Sequence, residues 1–127
     1  MTALTLIALE DVLAISKLPA DAPLPPWALG GPFVSITRTP DELSIVCREE
    51  DLPLESNSER GWRCLRVAGP LPFSAVGILA SLVEPMARGG IPVFVVSTFD
   101  TDYLLLKAGD FDRAVEHLQQ AGHIVRC

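Results

Sequence analysis

Two short segments in the second half of the sequence carry groups that together could bind an amino acid. Residues 69–74 form a Gly- and Pro-rich stretch leading into a predicted helix, where free N–H groups and the positive end of the helix dipole favour a carboxylate. Asp100 and Asp102 lie at a predicted hairpin turn, where carboxylates and turn carbonyls accept hydrogen bonds from an ammonium group. Phe99 offers an apolar wall or an aromatic face for a cation.

The same residues also fit purely structural roles. Gly and Pro are common turn residues, and Asp side chains often cap the backbone of a turn. Phe99 could equally pack against a partner chain. Trp27 and Trp62 are expected to anchor the core.

The sequence carries no pattern for catalysis, for a metal or for a nucleotide cofactor. His117 and His123 have no neighbours at metal-ligand spacing, and we expect both to be exposed or hydrogen-bonded locally. Cys47, Cys64 and Cys127 are widely spaced, which is typical of semi-buried thiols in a reducing compartment. We therefore predict no catalytic residue, no metal and no cofactor. A small enzyme that uses Cys64 or His117 is the catalytic alternative.

Length and charge limit the classes of partner. The chain has 127 residues, enough for one domain or two small subdomains, and Lys plus Arg number 10 against 16 Asp plus Glu, for a formal net charge of −6. This balance argues against nucleic acid and against an anionic membrane surface as partners. No basic residue precedes an apolar run at the start, and no apolar stretch approaches a membrane span. We expect a cytoplasmic protein.

The second half shows the periodicity of a βαββαβ unit. Strands are predicted over 62–69, 92–98, 102–107 and 124–127. The first helix is predicted to open at Pro72 or Ser74, and the second to be capped by Asp110. Their apolar stripes are Phe73, Val76, Leu79, Ala80, Val83 and Met86 in the first helix, and Phe111, Ala114, Val115, Leu118 and Ala121 in the second. This order predicts a ferredoxin-like fold with both helices on one face of an antiparallel sheet.

Two of these strands are apolar on both faces. Residues 92–96 and 104–106 do not alternate apolar with polar side chains, as strands with one wet face do. The second face is therefore expected to be covered, either by the first-half sheet or by a second copy of the chain.

The first half predicts strands without a long helix. Residues 5–9 and 12–18 predict a β-hairpin, with a short helix over 12–17 as the alternative. A Pro-rich connector over 19–27 follows, with at most one helical turn at 26–29. Residues 33–38 and 43–48 predict a second hairpin, and 49–60 a surface linker.

Two segments, residues 69–82 (GPLPFSAVGILASL) and 90–106 (GIPVFVVSTFDTDYLLL), resemble the ACT domains of aspartate kinases and, more closely, those of the CASTOR arginine sensors. The resemblance implies an α+β protein of two ACT-like subdomains: a reduced, helix-poor one over 1–57 and a βαββαβ ACT domain over 58–127. It also implies an amino-acid-binding regulatory module without catalysis, whose ligand lies between two ACT units.

The resemblance further implies site residues. Pro92, Val93, Thr98, Phe99 and Asp102 occupy positions that line the ligand pocket of such sensors. The loop that faces them from the partner unit contributes Pro70, Leu71, Phe73 and Ser74.

This sequence departs from the sensors in two ways. Pro92 stands where the sensors have a serine and so lacks a donor, which leaves the identity of the ligand open. The sensors carry four ACT units and this chain about two, which predicts a homodimer. The regulated protein partner is not identified, and a ligand-free dimerisation or protein-interaction module with the same fold is the alternative function.

Overall fold

The computed structural model describes residues 3–127 as an α+β fold, which confirms the predicted fold class. Eight strands, two α-helices and three short 3-10 turns follow one another along these residues. The strands are β1 (Thr5–Ala8), β2 (Leu13–Leu18), β3 (Ser35–Arg38), β4 (Leu43–Arg48), β5 (Ser58–Val67), β6 (Phe94–Ser97), β7 (Asp102–Lys107) and β8 (Ile124–Arg126). The helices are α1 (Ile78–Arg88) and α2 (Phe111–Gln120).

The described residues form two compact units. The larger unit consists of the described part of residues 1–10 together with Arg63–Cys127, and the smaller unit is Asp11–Trp62. Strand β5 contributes residues 58–62 to the smaller unit and 63–67 to the larger. The division into family subdomains at 57/58 stays a prediction, because compactness and family boundaries are different properties.

The larger unit contains the predicted order β5-α1-β6-β7-α2-β8. Its strands lie side by side as β6-β7-β5-β1-β8. Strand β1 runs antiparallel to β5 and parallel to β8, with Leu6 opposite both Val67 and Val125. A strand from the start of the chain therefore lies between the first and last strands of the βαββαβ unit.

The predicted hairpin over residues 5–18 is wrong. Strand β1 pairs with β5 and β8, whereas β2 pairs with β4 and β5. A two-residue hairpin loop needs residues that accept a positive φ, such as Asn or Gly, and Glu10-Asp11 supplies neither. The alternative of a short helix is also wrong, since Leu13–Leu18 is a strand.

Both helices bury one stripe against the strands of the larger unit. Helix α1 buries Leu82 and Met86, and α2 buries Phe111, Ala114 and Leu118. These side chains pack with Leu4, just before β1, and with alternate strand residues: Leu6, Leu65, Val67, Leu104 and Leu106. Burial of such side chains is the main source of the unit's stability, at about 25 cal/mol per Å² of apolar surface removed from water.

Strand β7 is buried on both of its faces. Leu104, Leu105 and Leu106 are all fully buried, although successive side chains of a strand point in opposite directions. This agrees with the continuous apolar run in the sequence. What covers the second face stays a prediction.

Helix α1 begins later than predicted. It starts at Ile78, after Gly77 with a φ of 80°, a backbone conformation that favours glycine. Phe73 and Val76 of the predicted stripe lie ahead of the helix and are 76% and 94% exposed. Pro70, Pro72 and Gly77 explain the delay, because proline and glycine both disfavour regular helix.

The position of His123 also differs from the expectation. It is buried, its Nδ1 accepts from the Leu4 N–H at 3.1 Å, and its Nε2 lies 3.0 Å from the Ser81 carbonyl oxygen. Because Nδ1 accepts, the proton belongs on Nε2, which donates to Ser81. His123 is thus neither exposed nor bonded locally.

The smaller unit is a four-stranded antiparallel arrangement in the order β3-β4-β2-β5. The predicted hairpin of β3 and β4 is confirmed, with Ile36 opposite Ile45. The connector forms one 3-10 turn at Pro26–Ala28, and Trp27 packs against a core of Ala14, Ala28, Leu43, Ile45, Cys47 and Leu52. The predicted linker is partly structured, because Leu52 is buried and β5 begins at Ser58.

Candidate functional site

A groove of about 450 Å³ lies within the larger unit. One wall comes from the segment 71–80, which includes the start of α1, and the other from residues 97–102, which include the turn between β6 and β7. The second wall is the turn that the sequence singled out, and the first wall overlaps the predicted 69–74 loop at residues 71–73. The groove is open to solvent along its apolar side, where Phe73 and Phe99 are 76% and 77% exposed.

Two threonines build the turn that forms the second wall. The Thr98 N–H donates to the Thr101 carbonyl at 2.8 Å, and the Thr101 N–H donates to the Thr98 hydroxyl at 3.3 Å. The buried Thr101 hydroxyl donates to the Val67 carbonyl of β5 at 2.6 Å. The turn is therefore fixed to β5, the strand that directly precedes the loop forming the first wall. Sequence reasoning placed Thr101 in the predicted turn but assigned it no role in the site, although the Thr-Phe-Asp-Thr spacing is a signal for such a turn.

The facing loop approaches this turn closely. The Leu71 N–H donates to the Asp100 carbonyl at 2.6 Å. A Cβ on Gly69 would lie 3.0 Å from the Leu71 nitrogen and 3.2 Å from the Asp100 oxygen, so only glycine fits there without displacing backbone. The loop predicted to face the turn from a partner unit thus contacts the turn of its own unit. A further contact from a partner unit stays a prediction.

Phe73 and Phe99 join the two walls at the mouth of the groove. Their ring centroids are 4.8 Å apart and the rings are nearly perpendicular, at 87°. This edge-to-face geometry is a favourable one for aromatic pairs, worth about 0.5–1.5 kcal/mol beyond the area that is buried. The pair gives the groove an apolar side.

The polar groups of the groove carry opposite signs on opposite walls. Asp102 is half-buried, and its Oδ1 accepts from the Ser97 hydroxyl at 2.6 Å. On the other wall, Gly77 supplies no side-chain cap for α1, and the first N–H bonded within the helix is that of Ser81, to the Gly77 carbonyl. The N–H groups of residues 78–80 therefore have no acceptor within the helix. They give that wall a partial positive charge.

The structure brings most, but not all, of the predicted site residues to this groove. Those that line it are Leu71, Phe73, Thr98, Phe99 and Asp102. Pro70 lines a smaller neighbouring pocket that also includes Thr98. Ser74 and Pro92 are exposed outside the groove, and Val93 packs against the core.

Sequence reasoning missed the lining residues at the start of α1, which are Gly77, Ile78, Leu79 and Ala80. They were assigned to the interior of a longer helix. The signal that could have found them is Gly77 itself, because a glycine inside an apparent apolar stripe often marks a helix boundary.

Neither buried thiol is activated for nucleophilic chemistry. Burial raises the pKa of Cys64 to about 12. Burial, followed by the nearby Asp51 carboxylate, also raises the pKa of Cys47. A nucleophilic cysteine needs a lowered pKa, since the thiolate is the reactive form. Within residues 3–127, no group of three or more His, Cys, Asp or Glu side chains is arranged to hold a metal ion.

Neither of the two helices in the described part of the chain is long and apolar enough to cross a membrane.

The chain is similar to proteins that are named as cytosolic arginine sensors. The sequence is 33% identical over 107 residues to the cytosolic arginine sensor for mTORC1 subunit 1 of Bos taurus, a match covering 73% of this chain and 32% of that protein. The human protein of the same name is 37% identical over 71 residues, covering 55% of this chain and 22% of that one. This chain thus spans about a third or less of these relatives.

Solved structures share the fold over nearly the whole chain. A crystal structure of a protein from Agobacterium tumefaciens superposes with a TM-score of 0.93 at 42% identity, covering 98% of this chain and 93% of that chain. The regulatory subunit of aspartate kinase from Thermus thermophilus has a TM-score of 0.60 at 13% identity, covering 88% and 93%, and shows likeness of fold alone.

Family models account for both parts of the sequence. A model described as an N-terminal domain matches residues 11–55. The model described as the ACT domain matches residues 57–120, which include both walls of the groove. The chain belongs to the ACT domain family.

Proposed function

We propose that this chain is a regulatory module that binds an amino acid in the groove between residues 71–80 and 97–102, and that it has no catalytic activity of its own. The observation that carries the proposal is the arrangement of opposite charges in this groove. The half-buried Asp102 lies on one wall and the uncapped start of α1 on the other.

Each part of an amino acid has a complementary partner in the groove. The α-carboxylate accepts from the N–H groups of residues 78–80, where the helix dipole favours an anion. The α-ammonium group or a cationic side chain donates to Asp102, whose Oδ2 is not the atom bound by Ser97. Leu79, Phe73 and Phe99 contact the apolar part of the ligand.

The exposed aromatic side of the groove supports a second unit in the complete site. Phe73, Val76 and Phe99 are all more than three-quarters exposed, and clustered apolar exposure of this kind is typical of an interaction surface. We infer that a second copy of the chain covers this side, so that the ligand lies at an ACT–ACT interface of a homodimer. Pro70, Ser74, Pro92 and Val93, which do not line the groove of the single chain, then remain candidates for contacts across that interface.

Ligand binding would then regulate assembly by shifting the equilibrium between interface geometries of the two copies. A ligand that bridges two copies stabilises one interface geometry by its differential affinity for that geometry, and the dimer in turn tightens ligand binding. The relatives named as cytosolic arginine sensors support amino-acid sensing and a cytoplasmic location. The net charge of −6 weighs against nucleic acid and membrane partners. The regulated protein partner is not identified.

A second candidate function rests on the Phe73–Phe99 pair. An exposed edge-to-face aromatic pair also suits a dimerisation or protein-interaction module that binds no small molecule. The two functions differ in whether an amino acid binds.

The first experiment measures the melting temperature with each of the twenty amino acids at millimolar concentration, beside sedimentation velocity. An amino acid that binds only the native state raises the melting temperature. We expect one or a few amino acids to do so and to change the sedimentation of the dimer. A stable dimer with no thermal response to any of the twenty would favour the interaction module instead.

The Asp102→Asn variant tests the assigned ammonium contact. Loss of the carboxylate charge removes a charge-assisted hydrogen bond worth about 1.5–3 kcal/mol, so calorimetry should show about a tenfold or greater loss of affinity for the best amino acid. Asp21→Asn is the matched control, because Asp21 is exposed in the smaller unit. Equal affinities of the two variants would remove Asp102 from the site.

A further inference from the structure

The Pro-rich segment between β2 and β3 presents an exposed ridge on the smaller unit. It runs from Pro19 to Trp27 and contains no strand. Pro23 and Pro26 are exposed, and Leu24 between them is 43% exposed. We call Pro23, Leu24 and Pro26 the proline ridge.

Local rules hold residues 22–25 in the polyproline II conformation. Each of these residues either is a proline, whose ring fixes φ at about −65°, or precedes a proline, which disfavours the α region. Pro25 has a φ of −71° and a ψ of 147°, values that are typical of polyproline II. This conformation has about three residues per turn, so Pro23 and Pro26 lie on the same side of the segment.

The segment is anchored on both sides of the ridge to the rest of the smaller unit. Ala22 before the ridge and Trp27 after it pack against the buried core of this unit. The guanidinium group of Arg38, on β3, donates to the carbonyl oxygens of Ala20 and Ala22, the second at 2.8 Å. The ridge is therefore preorganised, and a partner loses little affinity in ordering it.

The exposed groups of the ridge match one kind of partner. Prolines that are exposed in the polyproline II conformation pack into grooves lined by aromatic side chains, as in SH3, WW and EVH1 domains. The smaller unit carries nine Asp and Glu residues against four Lys and Arg. Basic residues beside such a groove would complement this negative charge.

We propose that the proline ridge docks into an aromatic-lined groove, flanked by basic residues, on a partner protein that recognises polyproline II segments. The ridge side chains enter that groove while Ala22 and Trp27 stay on the core of the smaller unit. The amino acid groove lies in the larger unit, so this inference does not depend on the function proposed for that groove.

The test is an NMR titration of the isotope-labelled full chain with an isolated SH3 domain, a WW domain and an EVH1 domain, each with basic residues beside its groove. We expect at least one domain to cause saturable shifts of the backbone amide signals of Ala22, Leu24 and Trp27. The same domain with a groove aromatic residue replaced by alanine should cause none. A higher salt concentration should weaken the binding, because salt screens the attraction between the charges.

Matched proline variants separate the ridge from the rest of the smaller unit. Pro23→Ala and Pro26→Ala each remove one ring and should weaken binding about fivefold or more. Pro53→Ala is the control and should leave the affinity unchanged, because Pro53 is exposed in the same unit but lies outside the segment. Leu24→Ala should also weaken binding. Its result stands even if a proline variant loosens the segment, since alanine before a proline keeps the extended backbone.

The contrary results are distinct from one another. The absence of a saturable shift at Ala22, Leu24 and Trp27 with all of the domains would overturn the docking surface, as would equal effects of Pro23→Ala and Pro53→Ala. Shifts confined to residues 71–80 and 97–102 would mean that the domain binds at the amino acid groove, which also overturns it. A changed sedimentation of the chain alone in Pro23→Ala would mean that a second copy of the chain occupies the ridge, which overturns the assignment to a partner protein.

Discussion

At the scale of single residues, His123 supplies a hydrogen bond that Pro85 takes away from helix α1. The Ser81 carbonyl would ordinarily accept from the N–H four residues later, but that residue is Pro85, which has none. The Nε2–H of His123 donates to this carbonyl instead, while Nδ1 accepts from Leu4. One buried imidazole thus ties the helix with a proline inside it to the approach to β1.

This pairing makes a quantitative prediction. His123→Phe keeps the ring but leaves the Leu4 N–H and the Ser81 carbonyl without a partner, so the free energy of unfolding should fall by about 2–4 kcal/mol. In a Pro85→Ala background the cost should be smaller, because an alanine at that position restores a backbone N–H that can donate to Ser81. Urea denaturation of the four proteins of this cycle gives the coupling energy. A cost that is the same in both backgrounds would contradict the compensation.

At the scale of elements, the site depends on a turn and a loop that are held to each other and to β5. Thr101 is the residue that fixes the turn, because its hydroxyl donates to the Val67 carbonyl. The Leu71 N–H then joins the loop to the same turn. The two walls of the groove are therefore joined by hydrogen bonds. Loss of either contact should lower the affinity of the groove for the proposed amino acid.

The Thr101→Val variant tests this connection with little change of shape. It leaves the buried Val67 carbonyl without its donor, and we expect the free energy of unfolding to fall by about 1–3 kcal/mol. Amino acid affinity should fall as well, because the turn is no longer fixed to β5. Thr37→Val on the exposed face of β3 is the control and should change the free energy of unfolding by less than about 0.5 kcal/mol. Denaturation curves give the free energy of unfolding, and calorimetry gives the amino acid affinity. If both quantities are unchanged in Thr101→Val, the hydroxyl of Thr101 does not fix the turn to β5.

The elements also show where sequence reasoning succeeds and where it fails. Periodicity predicted the βαββαβ order, since the buried stripe of α2 and the short apolar strand segments follow local rules. It failed for β1, because pairing with β5 and β8 joins segments more than fifty residues apart and leaves no local signal. It placed the start of α1 too early because Phe73 and Val76, which continue the apolar stripe, are exposed rather than buried.

At the scale of the whole molecule, the same exposed residues explain why the groove could be predicted only in part. A surface that serves a partner looks apolar in the sequence, just as a core does. Phe99 and Asp102 were identified because the turn is continuous in sequence, and Thr98 was identified through the resemblance to the arginine sensors. The lining residues at the start of α1 were missed because the apparent stripe concealed the helix boundary at Gly77.

Val76 and Leu54 offer a matched test of the proposed homodimer. They are 94% and 93% exposed, but Val76 belongs to the loop that also carries Phe73, whereas Leu54 lies in the smaller unit. A charge buried at an interface without a partner is strongly unfavourable. Val76→Glu should therefore weaken the dimer at least tenfold in sedimentation equilibrium while leaving the melting temperature of the monomer unchanged, and Leu54→Glu should leave the dimer intact. If Leu54→Glu disrupts the dimer and Val76→Glu does not, the two copies meet through the smaller unit, and the ligand groove is not part of the interface.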